Sequence, residues 1–318
     1  MRIGVVCRAD ELAWAQKLGF RFVGLVRFPE TPMAPTNANW KTHAEKPAAA
    51  AKARGIRISS LGSLSKNPLD PRQTEFARGI FHRAIEVASH MGVSTVGCFP
   101  GAVIETTLNE RGGNPIYKSL DESLPQLLAF WEPVAKFAAD KGVRIAFEHC
   151  PQGQWFQPIM GYNAFGRIGF WEKFFDAIAC DNIGLEWDAS HLVCQFIDPV
   201  ENIHRFGSRI FHVHAKDAFI NRHLLAQYGI CHPGVIEHRF PGLWQSNWAE
   251  IVHALLRAGY DSDLNIEGWH DPVFRNQDAA VPDELKDQKT ARRPGLRLEE
   301  AGLQIARRTL EMFTAGTE

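Results

Sequence analysis

The chain has 318 residues, 45% of them hydrophobic and 22% charged, an ordinary balance that excludes whole-chain disorder. Its 35 Lys and Arg against 36 Asp and Glu leave a net charge of −1. A protein built to coat nucleic acid would be basic, so nucleic acid is not an expected partner.

In chain order, short β-rich apolar runs alternate with stretches of helical periodicity. The runs are 2–7, 22–26, 56–61, 93–98, 143–148, 183–188, 209–214 and 263–267. Helical periodicity is clearest over 73–91, 121–141 and 246–258, with a final amphipathic stretch at 298–313. Gly19, Gly55, Gly92, Gly142 and Gly259 stand where helices should stop, just before the next run. Eight β-then-α units in this length predict one closed parallel (β/α)₈ barrel. A doubly wound open sheet is the alternative, but Cys7-Arg8-Ala9-Asp10 replaces the glycine-rich turn expected after its first strand.

No Pro/Ser-rich linker interrupts the chain, so residues 1–318 are expected to form a single domain. The stretches 27–46, 218–245 and 271–297 exceed the minimal barrel and read as loop insertions on its catalytic face. They are candidate lids or docking loops, or simply solvated insertions. Six scattered cysteines form no Cys-x-x-Cys pair, which argues against a disulfide framework. The opening apolar run is too short for a signal peptide, and no apolar stretch is long enough to cross a membrane. The expectation is a reduced, cytoplasmic protein with no membrane partner.

Strands five to eight carry the chemistry. They close on Glu148, Asp188, His214 and Glu267. A barrel gathers its C-terminal strand ends around one mouth, so these four residues should converge. Three carboxylates in a partly buried cleft repel one another, and a divalent cation relieves that repulsion. A donor set of oxygens with one nitrogen suits Mn²⁺, Mg²⁺ or Co²⁺, with Zn²⁺ also admissible. A single acid at a strand end would mean little, because strands emerge into solvent there. Strand alternation puts Glu186 below Asp188 and His212 below His214, either as support for the ligands or as an ordinary satisfied polar layer. His149 and Trp187 should face the helices.

Phe147-Glu148-His149, Trp187-Asp188-Ala189-Ser190-His191, His212-Val213-His214-Ala215-Lys216-Asp217 and Asn265-Ile266-Glu267 together resemble the xylose isomerase-like TIM barrels. These are proteins of sugar phosphate isomerase/epimerase type, including ketose 3-epimerases, inosose dehydratase and hydroxypyruvate isomerase. The resemblance implies one divalent ion, most often Mn²⁺, on Glu148, Asp188, His214 and Glu267. It makes the two glutamates the acid and base, and His191 a substrate-hydroxyl contact. A metal-bound carbonyl acidifies the neighbouring carbon, and a carboxylate beside it takes the proton. Isomerisation or epimerisation of a sugar or polyol is the implied reaction.

Lys216-Asp217 departs from the epimerases, which tend to have Glu two residues after the His ligand, and resembles the dehydratase branch. The segment Gly268-Trp269-His270-Asp271-Pro272 is also unlike theirs. A metal-dependent lyase is therefore the alternative: a dehydratase, or a C-glycoside deglycosidase subunit that removes an aglycone from an oxidised sugar alongside a small β subunit. Further candidate substrate contacts are Lys216, Trp155 and Arg239, although Trp155 also reads as loop packing and Arg239 as a solvated charge. A homo-oligomer is expected. No Ser-His-Asp elbow or P-loop is present.

Overall fold

The computed structural model describes residues 1–29, 31–63, 67–106, 116–151, 163–268, 270–275 and 297–316. Eight strands form a closed parallel barrel: β1 (Arg2–Cys7), β2 (Phe22–Val26), β3 (Arg57–Gly62), β4 (Thr95–Cys98), β5 (Arg144–Glu148), β6 (Ile183–Asp188), β7 (Ile210–Ala215) and β8 (Asp263–Ile266). Neighbours in sequence are neighbours in the barrel, and β8 closes it by pairing with β1 through Arg2–Asp263 and Gly4–Asn265. Each strand is followed by a helix: α1 (Leu12–Lys17), α2 (Trp40–Ala53), α3 (Thr74–Met91), α4 (Leu120–Asp140), α5 (Trp171–Ala177), α6 (Pro199–Phe206), α7 (Trp248–Arg257) and α8 (Glu299–Thr314).

The predicted glycine stops are present in the backbone. Gly92 takes φ +71°, its N–H reaches Ser89 O, and the Val93 N–H reaches Ala88 O at 2.8 Å. That pair of bonds is a Schellman cap. The same pattern recurs at Gly19, Gly55, Gly142 and Gly259. It also explains why strands three, four and five begin one or two residues later than the apolar runs. Ile56, Val93 and Val143 spend their N–H groups on the preceding helix and join the sheet only afterwards.

Two insertions differ from expectation. Residues 40–46 are not loop but the start of α2, which runs through Pro47. A proline inside a helix removes one backbone hydrogen bond, and here it does not end the helix. The stretch 218–245 holds an antiparallel ribbon, Asp217–Ile220 paired with Ile236–Arg239, with a short helix at Arg222–Tyr228 between them. Asn221 starts that helix by accepting the Leu224 N–H. Of the third insertion, only 271–275 and 297 lie among the described residues.

Apolar packing fills the space between barrel and helices. Trp131, Trp171 and Trp187 are fully buried there. Their indole N–H groups donate to Pro100 O, Phe165 O and Asn202 Oδ1, so each large ring enters the core without an unpaired donor. Phe147 packs edge-on against Trp131, Phe165 and Phe174, holding the strand that ends in Glu148. Among the described residues no helix is long and apolar enough to cross a membrane.

Candidate metal centre

Parallel strands end together at one face of the barrel, and the four predicted residues sit there. Glu148 and Asp188 are the last residues of β5 and β6, His214 lies near the end of β7, and Glu267 follows β8. All four are buried, and one ligand atom from each lies within 4.8 Å of the others. Glu267 is held by its own N–H bonding to Ala215 O, while Asp188 Oδ1 accepts the Ser190 N–H at 2.8 Å. His149 reaches under the site to accept the Asp188 N–H at 2.9 Å. Its ring packs edge-on to Trp171, in keeping with the structural role expected for it.

Burial disfavours every charge here, so partners decide the protonation states. Burial pushes Glu148 up, but the imidazoles of His191 and His214 outweigh it, and the carboxyl stays far below its usual range. Asp188 is likewise held low by His191 and Lys216 against its burial. Glu267 is held low chiefly by Lys216, again against burial. His214 rises against its burial to about 10, with Glu186 the foremost cause. For His149 burial, with the charge of His191, outweighs the nearby Asp188 and Glu148 and drops it to about 3.

The donor set suits a divalent ion. His214 Nδ1 is buried with no hydrogen-bond partner among the described residues, at 3.8 Å from Glu148 Oε1 and 3.9 Å from Glu267 Oε2. These distances are too long for hydrogen bonds. Two donors each about 2.1 Å from one ion stand roughly 3 to 4 Å apart. Carboxylate oxygens with one imidazole nitrogen are also the ligands expected for Mn²⁺, Mg²⁺, Co²⁺ or Zn²⁺.

A family model described as xylose isomerase-like TIM barrel matches residues 12–291. The chain belongs to that family. Among curated proteins it is 25% identical over 240 residues to the uncharacterized protein YfiH of Bacillus subtilis (strain 168), covering 67% of this chain and 72% of that one. Solved structures with the same fold include L-ribulose 3-epimerase, at TM-score 0.66 and 17% identity, covering 99% of this chain and 95% of that one. D-psicose 3-epimerase determined with D-fructose gives 0.65 and 16%, covering 99% and 98%. The 3-keto-D-glucoside 4-epimerase YcjR of E. coli gives 0.59 and 12%, covering 84% and 91%.

In this xylose isomerase-like barrel the remaining candidates have mixed fates. His191 Nε2 stands 3.4 Å from both Glu148 Oε1 and Asp188 Oδ2, beside the cluster. Lys216 is buried among the carboxylates themselves, its Nζ paired with Glu267 and 2.9 Å from Asp188 Oδ2. Arg239 is not a solvated charge: it donates to the buried Asp271 at 3.0 Å. Asp271 also accepts backbone N–H groups of Phe240, Val273 and Phe274, so this pair anchors the ribbon to the segment after β8. Trp155 lies outside the described residues.

Two further histidines stand near the site. His270 Nε2 lies 3.6 Å from Glu267 Oε1, and the half-buried His238 ring packs edge-on to His191 at 5.5 Å. The spacing of His270, three residues after Glu267, was a usable signal. His238 is brought in by the ribbon, where it pairs with Ala218.

Proposed function

We propose that this chain is a divalent-metal-dependent sugar or polyol isomerase or epimerase. One observation carries the reading: three buried carboxylates and an unpartnered imidazole nitrogen converge at the catalytic end of a (β/α)₈ barrel. The names of the fold neighbours, all sugar epimerases in the cases above, support it.

Glu148, Asp188, His214 and Glu267 would hold the ion, with Mn²⁺ the first candidate. When bound, it supplies positive charge that polarises a substrate carbonyl and acidifies the adjacent C–H. Glu148 and Glu267 flank His214 and are kept ionised by their neighbours, so each can accept a proton from carbon and return it. His191 and Lys216 bring cationic donors to the same place, suited to binding hydroxyl oxygens and steadying negative charge on oxygen. Enclosure of these groups keeps bulk water from competing for the proton.

Metal analysis of purified protein should find close to one divalent ion per chain. Ketoses turned over in D₂O should gain solvent deuterium at carbon without loss of water or an aglycone. Elimination products would reassign the chain as a lyase. Full activity in metal-free protein would refute the proposal.

A further inference from the structure

Beneath the four candidate ligands lies a second polar layer that the chemistry above leaves unused. Glu186 on β6, His212 on β7, Asn265 on β8 and Ser60 on β3 are all buried in the barrel. Three further strands of the barrel carry glycine at inward positions beside them. A Cβ on Gly97 would stand 2.4 Å from Glu186 Oε2, one on Gly4 2.0 Å from Asn265 Oδ1, and one on Gly24 3.0 Å from Ser60 Oγ. Barrel interiors are ordinarily filled by bulky branched side chains. Here the glycines leave room for a polar layer instead.

The hydrogen bonds of this layer run in one consistent direction. Ser59 donates to Val23 O at 3.0 Å, and the Asn265 amide donates to Ser59 Oγ and to His212 Nε2, each at 2.7 Å. Ser60 Oγ lies 3.2 Å from the same His212 nitrogen. With Nε2 accepting, His212 carries its proton on Nδ1 and donates to Glu186 Oε1 at 2.8 Å. Glu186 is therefore the acceptor on which the chain converges. His214 Nε2 lies 3.3 Å from the same oxygen. An N–H there is attracted to the carboxylate, whereas a lone pair would be repelled. The other nitrogen, Nδ1, is then the one directed at Glu148 and Glu267.

We propose that Glu186 is a positioning residue: it holds the Nε2–H of His214 and thereby aims Nδ1 at the divalent ion. His212, Asn265 and Ser60 in turn hold Glu186. The inference rests on the metal reading above.

The test is Mn²⁺ titration of metal-stripped protein, followed by the electron paramagnetic resonance signal of free ion. Glu186→Gln is expected to weaken binding roughly 10- to 100-fold relative to the natural chain. A layer that only filled the barrel would lower thermal stability and leave the affinity unmoved, and that result overturns the proposal. A second measurement needs no variant. In Zn²⁺-loaded protein labelled with ¹⁵N-histidine, His214 should be coordinated through Nδ1 with Nε2 protonated. Coordination through Nε2 overturns the proposal even if the variant fails to fold. Absence of any divalent-ion binding by the natural chain refutes the metal reading itself, which separates the two failures.

Discussion

Strand β8 begins with one buried acid and is followed at once by another, and the two are treated differently. Asp263, at its start, is fully buried and answered by two arginines: Arg2 at 2.5 Å and Arg57 at 3.2 Å. Both arginines are partly exposed, so the pairing is tethered to solvent and needs nothing further. Glu267, at the other end, shares its surroundings with Glu148 and Asp188. Lys216, His191 and His214 there are themselves buried. At one end of the barrel a single acid is paired with two arginines. At the other, three carboxylates are gathered at one point together with buried cations.

The sharpest way to break this contrast is to neutralise one acid at the mouth. Glu148→Gln or Glu267→Gln should lower turnover roughly a hundred- to ten-thousandfold and reduce bound metal, with an unchanged circular dichroism spectrum. Equal loss of fold and activity would mean that the mouth, like the base, is structural.

Acid should also attack the mouth. His149 is neutral in the fold, its value depressed from 6.5 to about 3 by burial first and then by His191. The unfolded chain thus binds the extra proton between pH 6.5 and 3. The stability this group contributes is present above pH 6.5 and is lost as pH falls through that window, by about 1.4 kcal/mol per unit at most. Chemical denaturation across that range should show the slope, and His149→Gln should flatten it.

Metal should stabilise one end only. At a concentration a hundredfold above Kd, a divalent ion is expected to add about 2.7 kcal/mol, seen as a higher Tm that EDTA reverses. Glu267→Gln should shrink that response, whereas Asp263→Asn should leave it intact. The smallest effect is expected from Asp263→Asn alone. It leaves two partly solvated arginines without their acid and should cost about 2 kcal/mol, read as a lower denaturation midpoint with metal content preserved.

Much of this was legible in one dimension. The Schellman glycines announce themselves because only glycine takes a left-handed cap without strain. The eight strands show as β-rich runs between those stops, and a carboxylate or imidazole closing four successive runs shows the candidate site. Local chemistry and period were enough for the barrel and for the four residues at its mouth.

What needed the tertiary structure is every pairing between distant strands. Arg239 reads as a loop charge until the ribbon folds it onto Asp271, 32 residues away. Lys216 stands two residues after His214, yet only the side-by-side pairing of β6, β7 and β8 puts its ammonium between Asp188 and Glu267. Alternation places Glu186 and His212 inward, and no more. That they join Asn265 and Ser60 in one donor chain depends on the stagger of the strands and on the space left by Gly4, Gly24 and Gly97. Residue type and spacing along the chain determine which groups face the barrel axis. Their partners are decided by strand pairing and by closure, because pairing sets the lateral neighbours and only a closed barrel brings β7 and β8 within hydrogen-bond reach of β3.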